Sequence, residues 1–280
     1  MDEMEVIAMD MSGKTILITG STDGVGRRVA ERLAVSGAMV LVHGRDKARG
    51  ESLLSNIHNA GGKAAFYPAD LSSLDEVRVL ADAIKRDHDR LDILINNAGV
   101  GTSSGNAGRQ VSRDGHELRF AVNYLAGFLL TRSLLPLLKA SSSARIVNVS
   151  SAGQQPIDFS DVMLTRGYSG VRAYCQSKLA QIMFTFDLAE ELAGTGVTVN
   201  CLHPATYMDT TMVRQAGVTP LSTVDQGANA ILNLAAASNL EGRTGLYYDG
   251  QRPSRANAQA YDATARKRPR ALSYDLTGLA

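Results

Sequence analysis

The nonapeptide AYCQSKLAQ, residues 173–181, places a phenol, a thiol and an ammonium group within five positions, as Tyr174, Cys175 and Lys178. On a helix Tyr174 and Lys178 share one face, about a turn apart. A free tyrosine has a pKa of about 10, and bringing it towards neutrality takes roughly 4 kcal/mol of preferential phenolate stabilisation. A neighbouring ammonium has the right sign for that, so the pair is a candidate for proton transfer. Cys175 follows the tyrosine by one residue and points about 100° away around the helix. A nucleophilic thiol needs a base and a depressed pKa, and no base partner is evident; Cys175 is read as a small buried hydrophobe.

Two further stretches carry chemistry. In TILITGSTDGVGRRVAERL, Gly20, Gly24 and Gly26 follow an apolar run and open an amphipathic one. A helix N-terminus offers unpaired amides and a positive dipole end to a phosphate, and glycines let the backbone approach it. A strand before and a helix after is the context in which such a loop binds a dinucleotide. In ARIVNVSS, Ser150 and Ser151 end another apolar run. Either hydroxyl is placed to stabilise charge on a reacting oxygen.

These groups must be positioned by regular elements, and the chain alternates the two kinds. TILIT, AMVLVHG, AAFYPAD, LDILINNAG, ARIVNVSS and GVTVNCLHP read as buried strands. Between them lie helical patterns, with Gly37 as a terminating glycine and Ser72 or Ser73 as a helix start. The expected fold is α/β, a single-domain Rossmann-type doubly wound parallel sheet with helices on both faces. The expected layout is an N-terminal extension over residues 1–12, a dinucleotide-binding catalytic domain over 13–250, and a polar tail with a short helix over 251–280. Substrate loops are expected at about 152–172 and 205–220.

Composition narrows the function. The chain has 280 residues, 44% of them hydrophobic and 20% charged, with a formal net charge of +1. That is ordinary for a globular protein and provides no global field to attract nucleic acid or an anionic membrane. The basic run RKRPR is read as a solvated face. Cys175 and Cys201 are too few for a disulfide scaffold, the five histidines lack metal-ligand spacing, and no metal is expected. The acidic N-terminus does not read as a secretory signal, and no apolar run is read as a membrane span. A cytoplasmic location is the expectation.

The glycine loop has the spacing TGxxxGxG, and other motifs follow in order: Asp70 in ADLSS, NNAG over Asn96 to Gly99, Asn123 in FAVNYLAG, Ser151 in RIVNVSS, and YxxxK at Tyr174 and Lys178. In this the chain resembles the short-chain dehydrogenases/reductases over roughly residues 13–250. SRDGHELRFAVNYLAGFLLT and AYCQSKLAQIMFTFDLAEEL make it most similar to the retinol dehydrogenase and carbonyl reductase-like branch. The resemblance implies an oxidoreductase interconverting a ketone or aldehyde and an alcohol, with Tyr174 as general acid or base. It implies that Lys178 tunes the tyrosine and holds the nicotinamide ribose, that Ser151 rather than Ser150 binds the substrate oxygen, and that Asn123 holds a proton-relaying water.

By the same resemblance Gly20, Ser21, Thr22, Asp23, Gly24, Val25 and Gly26 would bind the cofactor. Asp70 and Leu71 would meet the adenine, and Asn97, Ala98, Gly99 and Pro204 would line the cleft. At the end of the second strand Gly44 stands where an NAD enzyme carries an acid, and Arg45 follows with a planar fork of donors suited to a phosphate. NADP(H) is therefore the expected cofactor, with NAD(H) the alternative. Subunit pairing, as a homodimer or homotetramer, is implied through the helices carrying Asn123 and Tyr174.

Two departures from the family pattern stand out. Ser151 and Tyr174 are separated by 22 residues, a long insert expected to shape the pocket or a lid. After the sixth strand Pro204 and Ala205 replace the usual PG, and Tyr207 to Val218 are expected to close over substrate, with Thr206, Thr210 or Thr211 near the nicotinamide. His203 is read as structural or near the cofactor. A silent cofactor-binding sensor is the rival reading, and a sugar-nucleotide epimerase a weaker one, since little chain follows Tyr174.

Overall fold

The computed structural model describes residues 10–102 and 108–279. Of the expected N-terminal extension, residues 1–9 lie outside the described residues. Met11 is buried and its amide bonds the Ser36 carbonyl, so the chain joins the fold before residue 13.

Eight strands form one sheet in the order β3-β2-β1-β4-β5-β6-β7-β8. They are β1 (Thr15–Ile18), β2 (Met39–Gly44), β3 (Lys63–Pro68), β4 (Ile93–Asn96), β5 (Arg145–Val149), β6 (Thr198–His203), β7 (Tyr247–Asp249) and β8 (Arg252–Ser254). Pairing is parallel except between β7 and β8. The six strands expected from the apolar runs are the first six of the sheet. β7 and β8 have three residues each, too short for an alternation pattern to register. The chain reverses its direction across the sheet between β1 and β4, and in such sheets ligands bind at that switch point, outside the carboxyl ends of the strands.

Helices cover both faces. α1 (Gly24–Val35) and α2 (Lys47–Asn59) precede α3 (Leu74–Asp87), which Ser73 caps by accepting from the Glu76 amide. α4 (Leu118–Phe120), a π-helical turn (Ala121–Leu125) and α5 (Ala126–Lys139) make one continuous helix. α6 (Gly170–Glu191), α7 (Thr211–Gln215), α8 (Val224–Ala236) and α9 (Ala263–Thr277) complete the set. One apolar cluster, containing Leu17, Leu94, Phe128, Leu129, Ile146, Leu179 and Ile182, fills one face of the sheet. A second, with Ile16, Val29, Leu33, Ile95 and Ile231, fills the other. Truncating any such leucine to alanine costs about 2–5 kcal/mol.

Two expectations change here. The stretch Leu118–Lys139 is long and apolar enough by composition to cross a membrane, contrary to the sequence reading, and most of its apolar window is buried inside the protein. Its apolarity is used in the core, where Phe128 packs against Phe184 and Tyr274. The polar tail expected from 251 on contains β8 and the 15-residue α9. β8 closes the sheet, and α9 lies against α5 and α6: the Tyr124 and Ser273 hydroxyls bond at 2.7 Å, Arg270 reaches Asp187 at 3.1 Å, and Arg266 pairs with Glu190. Arg132 of α5 sits over the rings of Phe128, Phe184 and Tyr274. These are the helices through which the resemblance implies subunit pairing; in this chain α9 packs against them. Of RKRPR, Arg266 and Pro269 are buried while Lys267, Arg268 and Arg270 are exposed, so the run is only partly the solvated face expected.

Candidate active site

The turn from β1 to α1 is bare because it must be. Gly20 and Gly24 have φ of +64° and +55°, a region that L side chains rarely adopt. A Cβ on Gly26 would lie 2.4 Å from both the Asn97 amide nitrogen and the Gly20 carbonyl oxygen. Asp23 caps α1 and accepts from the Gly24 amide at 2.7 Å. The amides of Val25 and Gly26, in the first turn, have no intrahelical acceptor. A bare turn beneath open amides fits a diphosphate. Ser21 supports the turn from below: its hydroxyl donates to the Ile18 carbonyl at 2.8 Å and accepts from the His43 amide at 3.0 Å.

Asn97 and Ala98 fasten this turn to the end of β4. The Asn97 side chain donates to the carbonyls of Thr19 and Gly20, at 2.9 and 3.0 Å, and the backbone amides of Asn97 and Ala98 both donate to the Thr19 hydroxyl. The Asn97 side chain is thus spent on holding two loops together. Asn96 is buried and bonds Thr131 and Asn148 across the sheet, as a structural residue does. Asp70 accepts from the Ser72 amide and lies 3.6 Å from Arg113, with Leu71 buried beside it.

At the end of β2, a Cβ on Gly44 would lie 2.5 Å from the Thr22 hydroxyl oxygen. Thr22 therefore covers the place where an acid would stand. Arg45, next along, is exposed and forms no ion pair among the described residues. Beside it an open pocket of about 450 Å³ is lined by Thr22, Asp23, Arg27, Asp46, Arg49 and Thr211 among others. Arg49, which sequence reasoning missed, is held there by Asp23 at 3.3 Å and Asp46 at 3.5 Å.

The candidate proton-transfer groups meet beyond the ends of β4 and β5. Tyr174, in the second turn of α6, is half-buried; burial pushes its phenol up, and a hydrogen bond to Ser151 partly offsets that. Lys178 is buried one turn on, its ammonium donates to the Val149 carbonyl at 2.8 Å, and Nζ stands 5.8 Å from the Tyr174 ring centroid. Burial presses the Lys178 pKa down to about 8. Desolvation is the largest influence on the Tyr174 phenol in this chain.

The two serines separate cleanly. Ser150 donates to the Lys178 backbone carbonyl at 2.9 Å and so braces α6, whereas Ser151 faces Tyr174 and accepts from the Gly153 amide at 3.0 Å. Asn123 lies on the π-helical turn, a feature frequent at functional sites. Its amide nitrogen donates to the Val100 carbonyl and the Ser177 hydroxyl, and its oxygen accepts from the Val100 amide at 2.6 Å. The side chain is therefore engaged with protein rather than offered to water. It fixes the strand-end loop so that a Cβ on Gly99 would lie 3.6 Å from Lys178 Nζ. Cys175 is buried with its thiol pushed up by desolvation, as a packing residue; a Cβ on Gly153 would touch it at 3.5 Å.

Two segments frame the cleft. After Pro204, which is buried, the chain passes through Tyr207 at φ +44° into α7. Thr210 lies against Gly24 and Met212 against Gly101, so the segment bridges the glycine turn and the loop after β4. His203 bonds the Thr206 hydroxyl at 3.1 Å, a structural use. The 152–172 insert is pinned at its far end: Tyr168 takes a hydrogen bond from Arg119 at 2.6 Å and donates to Glu117 at 3.2 Å, and these two charges are buried together. Its apolar residues Ile157 and Leu164 are buried, and Phe159, Val162 and Met163 pack on the core.

Comparison with known proteins gives the family. The short chain dehydrogenase family profile matches residues 14–220. Human retinol dehydrogenase 13 is 36% identical over 95% of this chain and 85% of its own length, and human retinol dehydrogenase 12 is 34% identical over 97% and 88%. A crystal structure of a Mycobacterium paratuberculosis protein superposes with a TM-score of 0.81 at 30% identity, covering 96% of this chain and 95% of that one. The Pseudomonas aeruginosa RhlG/NADP active-site complex superposes with a TM-score of 0.69 at 29% identity, covering 86% and 95%. The chain belongs to the short-chain dehydrogenase/reductase family, on its retinol dehydrogenase branch.

Proposed function

We propose that the protein is an NADP(H)-dependent oxidoreductase that interconverts a bulky, apolar ketone or aldehyde and its alcohol, with Tyr174 as general acid and base. The observation that carries this reading is the convergence of Ser151 and Tyr174, which a Cβ on Gly153 would meet at 3.4 and 3.7 Å, beside the buried Lys178 ammonium beyond the end of β5. The cofactor, when bound, supplies hydride transfer to or from the substrate carbon.

The chain's own residues do the rest. The turn Gly20–Gly26 and the first amides of α1 hold a diphosphate, and Arg45 and Arg49 supply cations for a further phosphate. Ser151 donates to the substrate oxygen as negative charge grows there. Tyr174 Oη delivers the proton; because burial keeps this phenol protonated, carbonyl reduction finds its acid ready. In the reverse direction the same oxygen must first lose its proton, for which Lys178 offers the nearby positive charge. Met212 and Tyr207, partly exposed at the rim, favour an apolar substrate, and the named retinol dehydrogenase relatives support that class.

The test is to follow reduced-nicotinamide absorbance with NADPH and NADH across a panel of ketones, aldehydes and alcohols. The expected result is turnover with NADPH that is lost in Tyr174→Phe. Turnover that survives this change would overturn the mechanism. Arg45→Ala is expected to weaken NADPH about 10- to 100-fold while leaving NADH little changed, as loss of a charge-assisted phosphate contact does. A wild-type preference for NADH would overturn the cofactor assignment.

A further inference from the structure

The Ser151 backbone carbonyl receives two side-chain donors, Gln154 Nε2 at 2.9 Å and Tyr247 Oη at 3.2 Å. Neither is explained by the sheet or by a helix cap: Gln154 lies in the insert and Tyr247 on β7. The other end of the Gln154 amide accepts from the backbone amide of Asn257, at 2.7 Å. Two residues on, Gln259 grips the insert again, accepting from the Ile157 amide at 2.7 Å and donating to its carbonyl at 3.2 Å. Arg268 of α9 stacks on Phe159 at 4.2 Å. The insert is thus laid on the C-terminal segment at three points, and the point nearest the reacting groups ends on Ser151.

We propose that Gln154 and Tyr247 are positioning residues for the proposed reaction, and that through Asn257 the C-terminal segment sets the Ser151 hydroxyl against Tyr174. Two donors on one carbonyl fix the peptide plane after β5. That plane determines where the Ser151 side chain points, and the chemistry tolerates little error there, since a small misplacement of a hydrogen-bonding group costs rate steeply. Tyr247 is buried, and desolvation pushes its phenol up, so it stays a donor throughout the working range. Gln154 cannot ionise. The clamp is therefore constant with pH, while Tyr174, which Ser151 faces, is the group that titrates. This inference rests on the reading of Ser151 and Tyr174 given above.

The experiment compares the wild type with Gln154→Leu, Tyr247→Phe and the double variant in the full chain. The single changes are expected to lower kcat several-fold and the double change about tenfold or more, with the Kd for NADPH unchanged. The hydrogen bond from Ser151 lowers the Tyr174 pKa, so loosening it raises that pKa. The alkaline limb of kcat/KM for carbonyl reduction is then expected to move to higher pH in the double variant. Gln154→Glu, which keeps an acceptor for Asn257 but loses the donor to Ser151, should behave like Gln154→Leu. A merely structural role would lower Tm and leave the pH profile in place, and that outcome overturns the inference. If Ser151→Ala and Tyr174→Phe are themselves active, the functional reading fails instead; if they are inactive while both clamp variants match wild type, the inference alone fails.

Discussion

Replacing Lys178 with methionine is expected to stabilise the cofactor-free protein while removing its activity. Lys178 is 4% exposed, its ammonium has one hydrogen-bond acceptor in the Val149 carbonyl and no carboxylate partner among the described residues, and its pKa falls from 10.5 to about 8. A depressed lysine is a cost of folding: the unfolded chain holds the proton more tightly than the native one. Below pH 8 the cost is fully present, at about 3 kcal/mol; it is relieved as pH rises from 8 towards 10.5. Methionine matches the length of the stem and needs no solvation, but it leaves the Val149 carbonyl without its donor, at about 1 kcal/mol. The expected net gain is about 2 kcal/mol at pH 6.5, or roughly 4–8 °C in Tm for a domain of this size. At pH 9.5 the remaining cost in the wild type is about 1 kcal/mol, and the lost hydrogen bond cancels it. Thermal and urea unfolding of wild type and Lys178→Met at both pH values measures this. A variant that is less stable at pH 6.5, or a difference that does not shrink with rising pH, would refute the reasoning.

Three other predictions address single features. Ser151→Ala is expected to lower kcat by about 10²-fold or more with little change in Tm, whereas Ser150→Ala should cost about 1 kcal/mol in stability by freeing the Lys178 carbonyl and leave a correctly charged site; steady-state kinetics and unfolding curves separate them. Gly26→Ala must push a methyl against the Asn97 side chain and the Gly20 carbonyl, so a loss of about 1–3 kcal/mol and weakened cofactor binding by calorimetry are expected. Tyr168→Phe removes the hydroxyl shared by Arg119 and Glu117 and should cost about 1–3 kcal/mol of stability, read by urea unfolding.

The sequence showed the parts of the fold whose signals are local. Six strands were visible because each is a short, mostly apolar run bounded by turn residues, and the start of α3 because Ser73 precedes an acidic turn. The glycine turn and the pair Tyr174 and Lys178 were visible because each is a short motif on one element. What stayed hidden depends on contacts between distant segments. Gln154 and Asn257 are 103 positions apart, and no spacing rule joins them. β7 and β8 are too short for a period, and α9 has a weakly patterned surface because its neighbours are polar partners such as Asp187 and Glu190. The burial that pushes the Tyr174 phenol up was hidden for the same reason: a charge four residues away is legible, but desolvation is a property of the folded whole.

The contact of Gly44 with Thr22 sets a rule for redesign. An aspartate at position 44 is the obvious substitution for turning the site towards NAD, yet its Cβ would have to occupy space 2.5 Å from a β-branched side chain in the glycine turn. A single exchange would therefore distort the very loop meant to hold the diphosphate. An acid at position 44 in this scaffold therefore calls for a smaller side chain at position 22 as well.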